Sequence, residues 1–153
     1  MGMRFLCLGD LHLGRRPRNL PPRLDDLGIP TSHLAPERGL EVAIEWACDQ
    51  SVDAVLWSGD VVESENRYFE ALTPLEQAIR RLEEHGIPSI AVAGNHDFQV
   101  LERLTRERSG FRVLGRGGRW EHVDIERDDQ LVQIWGWSFP SRHFSGNPVA
   151  DFP

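Results

Sequence analysis

No lysine occurs in the 153 residues; all 17 basic side chains are arginine. That removes lysine nucleophiles and Schiff bases from the chemistry open to the chain. Cysteine is nearly as scarce. Cys7 and Cys48 fall inside apolar segments and are expected to be buried, reduced thiols rather than a disulfide framework. No apolar run approaches the roughly 20 residues of a membrane-spanning helix. Met1-Gly2-Met3-Arg4 leads straight into a strand-like segment, without the apolar stretch of a secretory leader. The expectation is a cytoplasmic chain without membrane association. With 40% hydrophobic and 27% charged residues, the length suits one globular domain with its own core.

The net charge of −7 is unevenly spread. Residues 1–36 carry five arginines against three aspartates, and residues 37–100 carry four arginines against thirteen acids. An acidic total speaks against simple non-specific nucleic-acid binding but leaves room for a basic rim around an acidic, metal-filled site.

One pattern recurs three times: an apolar run, a glycine, then a polar residue suited to metal binding. The instances are Phe5-Leu6-Cys7-Leu8-Gly9-Asp10, Ala54-Val55-Leu56-Trp57-Ser58-Gly59-Asp60 and Ile90-Ala91-Val92-Ala93-Gly94-Asn95. Continuous apolar runs of this length suit strands buried on both faces. Helical segments separate them. Leu40, Ala43, Ile44, Ala47 and Cys48 form one stripe after Pro36, which fits a first helical position. Thr73-Pro74-Leu75-Glu76 reads as a capping box opening a second helix, which Gly86 ends. A third, with Val100, Leu101 and Leu104 inward, follows Asp97. The order β-α-β-α-β-α implies a parallel sheet, in which ligands bind beyond the carboxyl ends of the strands. Beyond residue 110, segments 119–126 and 131–138 read as a hairpin around Arg127-Asp128-Asp129-Gln130. Trp46 and Trp57 are expected in the core. Trp120, Trp135 and Trp137 on the hairpin need either a covering layer or the sheet itself beneath them.

Six polar residues therefore converge on one sheet edge. Asp10 and His12 offer a carboxylate and an imidazole to a hard or borderline cation, Asp60 can bridge two cations, and Asn95 offers a neutral amide oxygen. His96 can serve as proton donor or charge stabiliser, with Asp97 holding its tautomer. Two cations about 4 Å apart can activate water for in-line displacement at phosphorus. The long segment Gly14–Pro36 contains Arg15, Arg16, Arg18 and Arg23, of which Arg15 and Arg16 are the candidates for contacting an anionic substrate.

Gly9-Asp10-Leu11-His12-Leu13-Gly14, Gly59-Asp60-Val61-Val62-Glu63 and Gly94-Asn95-His96-Asp97 resemble the first three motifs of the calcineurin-like metallophosphoesterases. The closest likeness is to the DNA-repair exonuclease branch, the SbcD/Mre-type nucleases. Asn66-Arg67-Tyr68-Phe69 and the segment Trp135 to Pro140 are similar to that branch as well. The resemblance implies a four-layer α/β/β/α sandwich and two divalent ions, usually manganese. Asp10 and His12 would hold the first ion, Asp60 would bridge, and Asn95 would hold the second. His96 would assist the leaving group, with Asp97 orienting it. DNA is the implied substrate, with an SMC-like ATPase subunit and a homodimer as implied partners.

The resemblance also implies further ligands, a histidine after a later strand and a Gly-His-x-His motif; none of His33, His85, His122 and His143 sits in Gly-His-x-His, and each reads as a surface or structural histidine. Residues 1–153 are accordingly expected to form a single, incomplete catalytic domain that binds metal weakly and turns over little alone. Two alternatives remain at this point: a phosphomonoesterase or cyclic-nucleotide phosphodiesterase on the same fold, and a non-catalytic interaction fragment.

Overall fold

The computed structural model describes residues 2–16, 24, 26–28, 30–63, 68–106 and 108–153. Arg18, Arg23, Asn66 and Arg67 lie outside the described residues. Four strands, β1 (Phe5–Leu8), β2 (Ala54–Trp57), β3 (Ser89–Ala91) and β4 (Phe111–Val113), form one sheet in the order β1-β2-β3-β4. Every pairing is parallel. Helix α1 (Pro36–Asp49) connects β1 to β2, α2 (Tyr68–Glu84) connects β2 to β3, and the short α3 (Leu101–Thr105) connects β3 to β4.

Alternation along the strands divides the core in two. Val55 and Trp57 of β2, Ala91 of β3, and Phe111 and Val113 of β4 pack with Leu40, Ile44, Leu75, Ile79 and Leu82 of the helices. The intervening Ala54, Leu56, Ile90 and Val92, with Leu114, face the opposite way. There they meet Val123, Ile125 and Ile134 of an antiparallel hairpin, β5 (Glu121–Arg127) and β6 (Gln130–Gly136). The layers are thus helices, parallel sheet and hairpin, in keeping with the sandwich that the motif resemblance implies. The continuous apolar runs of β2 and β3 are explained: both faces of these central strands are covered. No helix among the described residues is long and apolar enough to cross a membrane.

Several expectations need correction. Helix α2 starts at Tyr68, so Pro74 lies inside it rather than at its start. The apolar stripe extends back through the fully buried Ala71, and that packing outweighs the hydrogen bond that proline removes. β4 was not anticipated, because three residues with Arg112 at the centre carry too little apolar pattern to read as a strand. Cys7 is exposed while Cys48 is buried; β1 is an edge strand. Trp57 is 1% exposed but Trp46 is 47% exposed, on the outer side of α1. Trp120, Trp135 and Phe152 stack together, and the Trp120 indole donates to the Pro148 carbonyl at 2.8 Å. The last residues fold back over the hairpin.

Two carboxylates pin the hairpin to the sheet. Glu121 accepts from Arg112 at 2.8 Å and from the Gly115 N–H at 3.1 Å. The Arg112 guanidinium, opposed by burial and aided by that N–H, holds Glu121 below the usual carboxylate range. Asp53 accepts from the Arg4 N–H at 2.6 Å and from the Arg127 guanidinium. Burial alone would raise Asp53, but Arg4 and Arg127 outweigh it and hold the carboxyl low. A depressed carboxyl stabilises the fold above its unfolded pKa of about 3.9 and loses that share as pH falls through its folded value. Asp53→Asn is expected to cost about 1–2 kcal/mol at neutral pH. The difference from wild type should shrink on acidification below about pH 4. Denaturation followed by tryptophan fluorescence at several pH values checks both.

Candidate metal centre

The site lies beyond the carboxyl ends of β1, β2 and β3. After β1 and β2 the chain stays zipped: the N–H groups of Asp10, His12 and Leu13 donate to the carbonyls of Gly59, Asp60 and Val61 at 2.9–3.1 Å, and the Glu63 N–H donates to Leu13 at 3.0 Å. Leu13 and Val62 form a parallel bridge and are fully buried. This apolar clamp fixes two polar loops side by side. Asp10, His12 and Asp60 each adopt positive φ, at 53°, 49° and 51°. Non-glycine residues in that region carry strain of about 1 kcal/mol or more, which persists where the surroundings dictate the conformation. Three such residues within one cluster direct three side chains to one place.

The ligand-type atoms of Asp10, His12 and Asp60 lie within 4.8 Å of one another, as do those of His12, Glu63 and His96. His12 belongs to both groups. Its Nε2 is 3.9 Å from Asp10 Oδ1, and its Nδ1 is 3.3 Å from Glu63 Oε2. The second Glu63 oxygen meets His96 Nδ1 at 3.1 Å. The two imidazoles stand edge to face with centroids 4.8 Å apart. Asp60 Oδ1 accepts the His96 N–H at 2.9 Å, and the half-buried Asn95 sits between Gly94 and His96.

Glycines permit this proximity. A Cβ on Gly94 would stand 2.1 Å from Asp60 Oδ1, and one on Gly59, at φ +98°, would stand 3.0 Å from the Gly94 backbone. The β2 and β3 loops touch there with no room for a methyl group.

Asp97 does not take the place expected of it. It is fully buried, and its carboxylate accepts the N–H groups of Gly94 at 2.7 Å, Val61 at 2.7 Å and Val62 at 3.3 Å. It braces the β2 loop against the β3 loop; Glu63, not Asp97, engages the His96 ring. Burial pushes the Asp97 carboxyl above the ordinary range, the three N–H donors pull it down, and neighbouring Asp60 adds to the rise. Glu63 is the residue that sequence reasoning missed. Its place three positions after Asp60, behind two apolar valines, is the signal it left. Arg15 and Arg16 follow His12 on the exposed side, and Arg16 reaches Glu70 at 3.4 Å.

The donor set fits a divalent cation. Two carboxylates and an imidazole converge, with an amide residue in the same loop cluster. The buried His12 Nδ1 has no hydrogen bond of good geometry, and its nearest carboxylate is Glu63. A carboxylate behind one ring nitrogen leaves the other free to bind metal, the usual arrangement for a ligating histidine. Asp10, 87% exposed at its side chain, leaves the site open to solvent on one side.

Three kinds of comparison with known proteins bear on the family of the chain. The family model described as calcineurin-like phosphoesterase matches residues 3–151. The DNA double-strand break repair protein Mre11 of Sulfolobus acidocaldarius is 33% identical over 155 residues, covering 97% of this chain and 36% of that protein. The protein of the same name from Haloferax volcanii is 32% identical over 140 residues, covering 84% of this chain and 30% of that protein. A crystal structure of a dimetal phosphatase from Danio rerio shares 19% identity at a TM-score of 0.45, covering 69% of this chain and 34% of that one. The chain spans about a third of the length of the curated relatives it matches. With nearly its whole length matched and all three strand-end motifs gathered into one site, the chain belongs to the calcineurin-like phosphoesterase family.

Proposed function

We propose that this chain is the metal-binding part of a phosphodiester hydrolase that acts on DNA in repair, with two divalent cations, manganese by preference, as cofactor. The observation that carries the reading is the convergence of Asp10, His12 and Asp60 within 4.8 Å at the strand ends. Asp10, His12 and Asp60 would hold the first cation, and Asp60 with Asn95 the second. Bound there, the cations supply Lewis-acid stabilisation of a phosphoryl centre and a lowered pKa for water. The rest of the work falls to the protein. His96, with Nδ1 on Glu63, would as the imidazolium give its Nε2 proton to a departing oxygen and be left neutral with its Nδ1–H still on the Glu63 carboxylate. Glu63 positions both imidazoles. Asp97 keeps the loops in register.

Likeness to proteins named for DNA double-strand break repair supports DNA as substrate over small phosphoesters. The resemblance of the strand-end motifs to the DNA-repair exonuclease branch makes an SMC-like ATPase and a second copy the proposed partners, and the cytoplasm is the location we propose. The test is hydrolysis by the full-length gene product with Mn2+, on linear duplex DNA, on single strands and on a small diester. DNA cleavage that His96→Ala abolishes supports the reading; turnover of small esters alone rejects it. Glu63→Gln is expected to lower kcat about 10- to 100-fold with little change in KM. The His96 ring 15N shifts should move with it, which a merely structural role for Glu63 would not produce.

A further inference from the structure

Away from the metal centre, the positive charge of this acidic chain is concentrated in one stretch. Residues 101–119 contain six arginines and two glutamates, a surplus of four positive charges in a chain of net −7. Three of those arginines line one recess of about 430 Å³, formed by Leu72 and Glu76 of α2 with Arg103, Leu104, Arg106 and Arg108 of α3 and its exit. Arg108 is paired with Glu76 at 2.7 Å, which fixes one guanidinium at the wall. Arg103 and Arg106 are exposed and form no ion pair among the described residues. A recess presenting, among the described residues, three guanidiniums against one carboxylate attracts a phosphate group, which their planar forks can grip with paired hydrogen bonds.

The charge continues past the recess. Arg116 meets Glu102 of α3 at 2.9 Å. A pair so open to solvent is worth about 1 kcal/mol or less, so a phosphate can replace the glutamate. The basic surface is therefore a strip, longer than one small anion needs. It is also tied to the catalytic loop, since the N–H groups of Val100 and Leu101 both donate to the Asp97 carbonyl at 2.9 Å. None of the residues lining the recess belongs to either metal-type cluster.

The geometry points to a second site on this chain, a nucleic-acid backbone site built on Arg103, Arg106 and Arg108 and working independently of metal. It holds phosphates by charge and is indifferent to base sequence. It stands apart from the metal centre, so its test is run with the metal removed.

The experiment measures binding of a fluorescein-labelled duplex oligonucleotide of about twenty base pairs by fluorescence anisotropy in EDTA, from about 50 to 200 mM salt. The expected result is salt-dependent binding by the wild-type chain. Arg103→Ala/Arg106→Ala should weaken it about tenfold or more at low salt and lower the log–log salt slope by about two. Arg38→Ala/Arg80→Ala, on the outer faces of α1 and α2, should leave it unchanged. Matching melting temperatures establish that the variants are folded. The proposal is overturned if wild type does not bind, if both double variants behave alike, or if inorganic phosphate binds as tightly as the oligonucleotide. Loss of metal binding in Asp60→Asn with oligonucleotide binding retained would leave this site standing and separate it from the hydrolase reading.

Discussion

Asp97→Ala is expected to destabilise the chain by about 3–5 kcal/mol. The carboxylate is fully buried and satisfies the N–H groups of Gly94, Val61 and Val62. Removing it strands three donors between two loops that have no other means of pairing them. Val61 and Val62 are also fully buried, so water reaches those N–H groups only if the core opens. Asp97→Asn keeps the shape and one acceptor oxygen but turns an amide NH2 toward a backbone donor, and should cost about half as much. Urea denaturation of the three proteins gives both numbers. The same loosening should weaken metal binding, because the loop that Asp97 holds carries Asp60. If Asp97→Ala kept wild-type stability, Asp97 would not be the brace between the loops.

Gly94→Ala is expected to lower divalent-metal affinity at least about 100-fold while leaving the chain folded. The added methyl group would lie 2.1 Å from Asp60 Oδ1 and 2.6 Å from the Asp60 N–H nitrogen. Something must move. If the Asp60 side chain moves, it leaves the His96 N–H and the metal position together. If the Gly94 turn moves, it leaves Asp97. A second glycine supplies the control. Gly86, at φ +69°, has nothing within 4 Å of its Cβ position, so Gly86→Ala should cost about 1 kcal/mol in backbone strain and leave metal affinity unchanged. Calorimetric titration of both variants separates loss of the site from loss of stability.

The parts of this structure that were legible in the sequence share a cause. In a parallel sheet every strand ends at the same edge, so three Gly-polar endings must meet once the strands are recognised. Long apolar runs made β1, β2 and β3 recognisable, and covered faces on both sides are what such runs mean. Less legible were features that depend on which neighbour a residue meets. Glu63 looks like any acid after a strand; it becomes part of the site because the Leu13–Val62 bridge draws its loop against His12. Asp97 looked like a partner for the adjacent His96, yet its three donors come from Gly94 and from a loop some 35 residues earlier. The exposure of Cys7 follows from sheet order, which no local pattern reveals. Pro74 sits inside α2 because burial of Ala71 and Leu75 outweighs a local start signal. β4 is too short and too polar to announce itself.

The site residues named from sequence thus fall into two groups. Asp10, His12, Asp60 and His96 are brought together by the fold, with Asn95 in the same turn. Asp97 holds the framework instead of the histidine, and Glu63 takes the positioning role in its place. This division decides what the variants should do: Asp60 changes act on metal, Glu63 changes on the rings, and Asp97 changes on stability first.

The most direct test of the central claim is titration of Mn2+ into the metal-free chain, read by calorimetry and by loss of the free-ion paramagnetic resonance signal. The expected result is weak but saturable binding, abolished by Asp60→Asn and by Asp10→Asn and unchanged by Arg80→Ala. No saturable binding to the wild-type chain, or binding indifferent to Asp60, would contradict it.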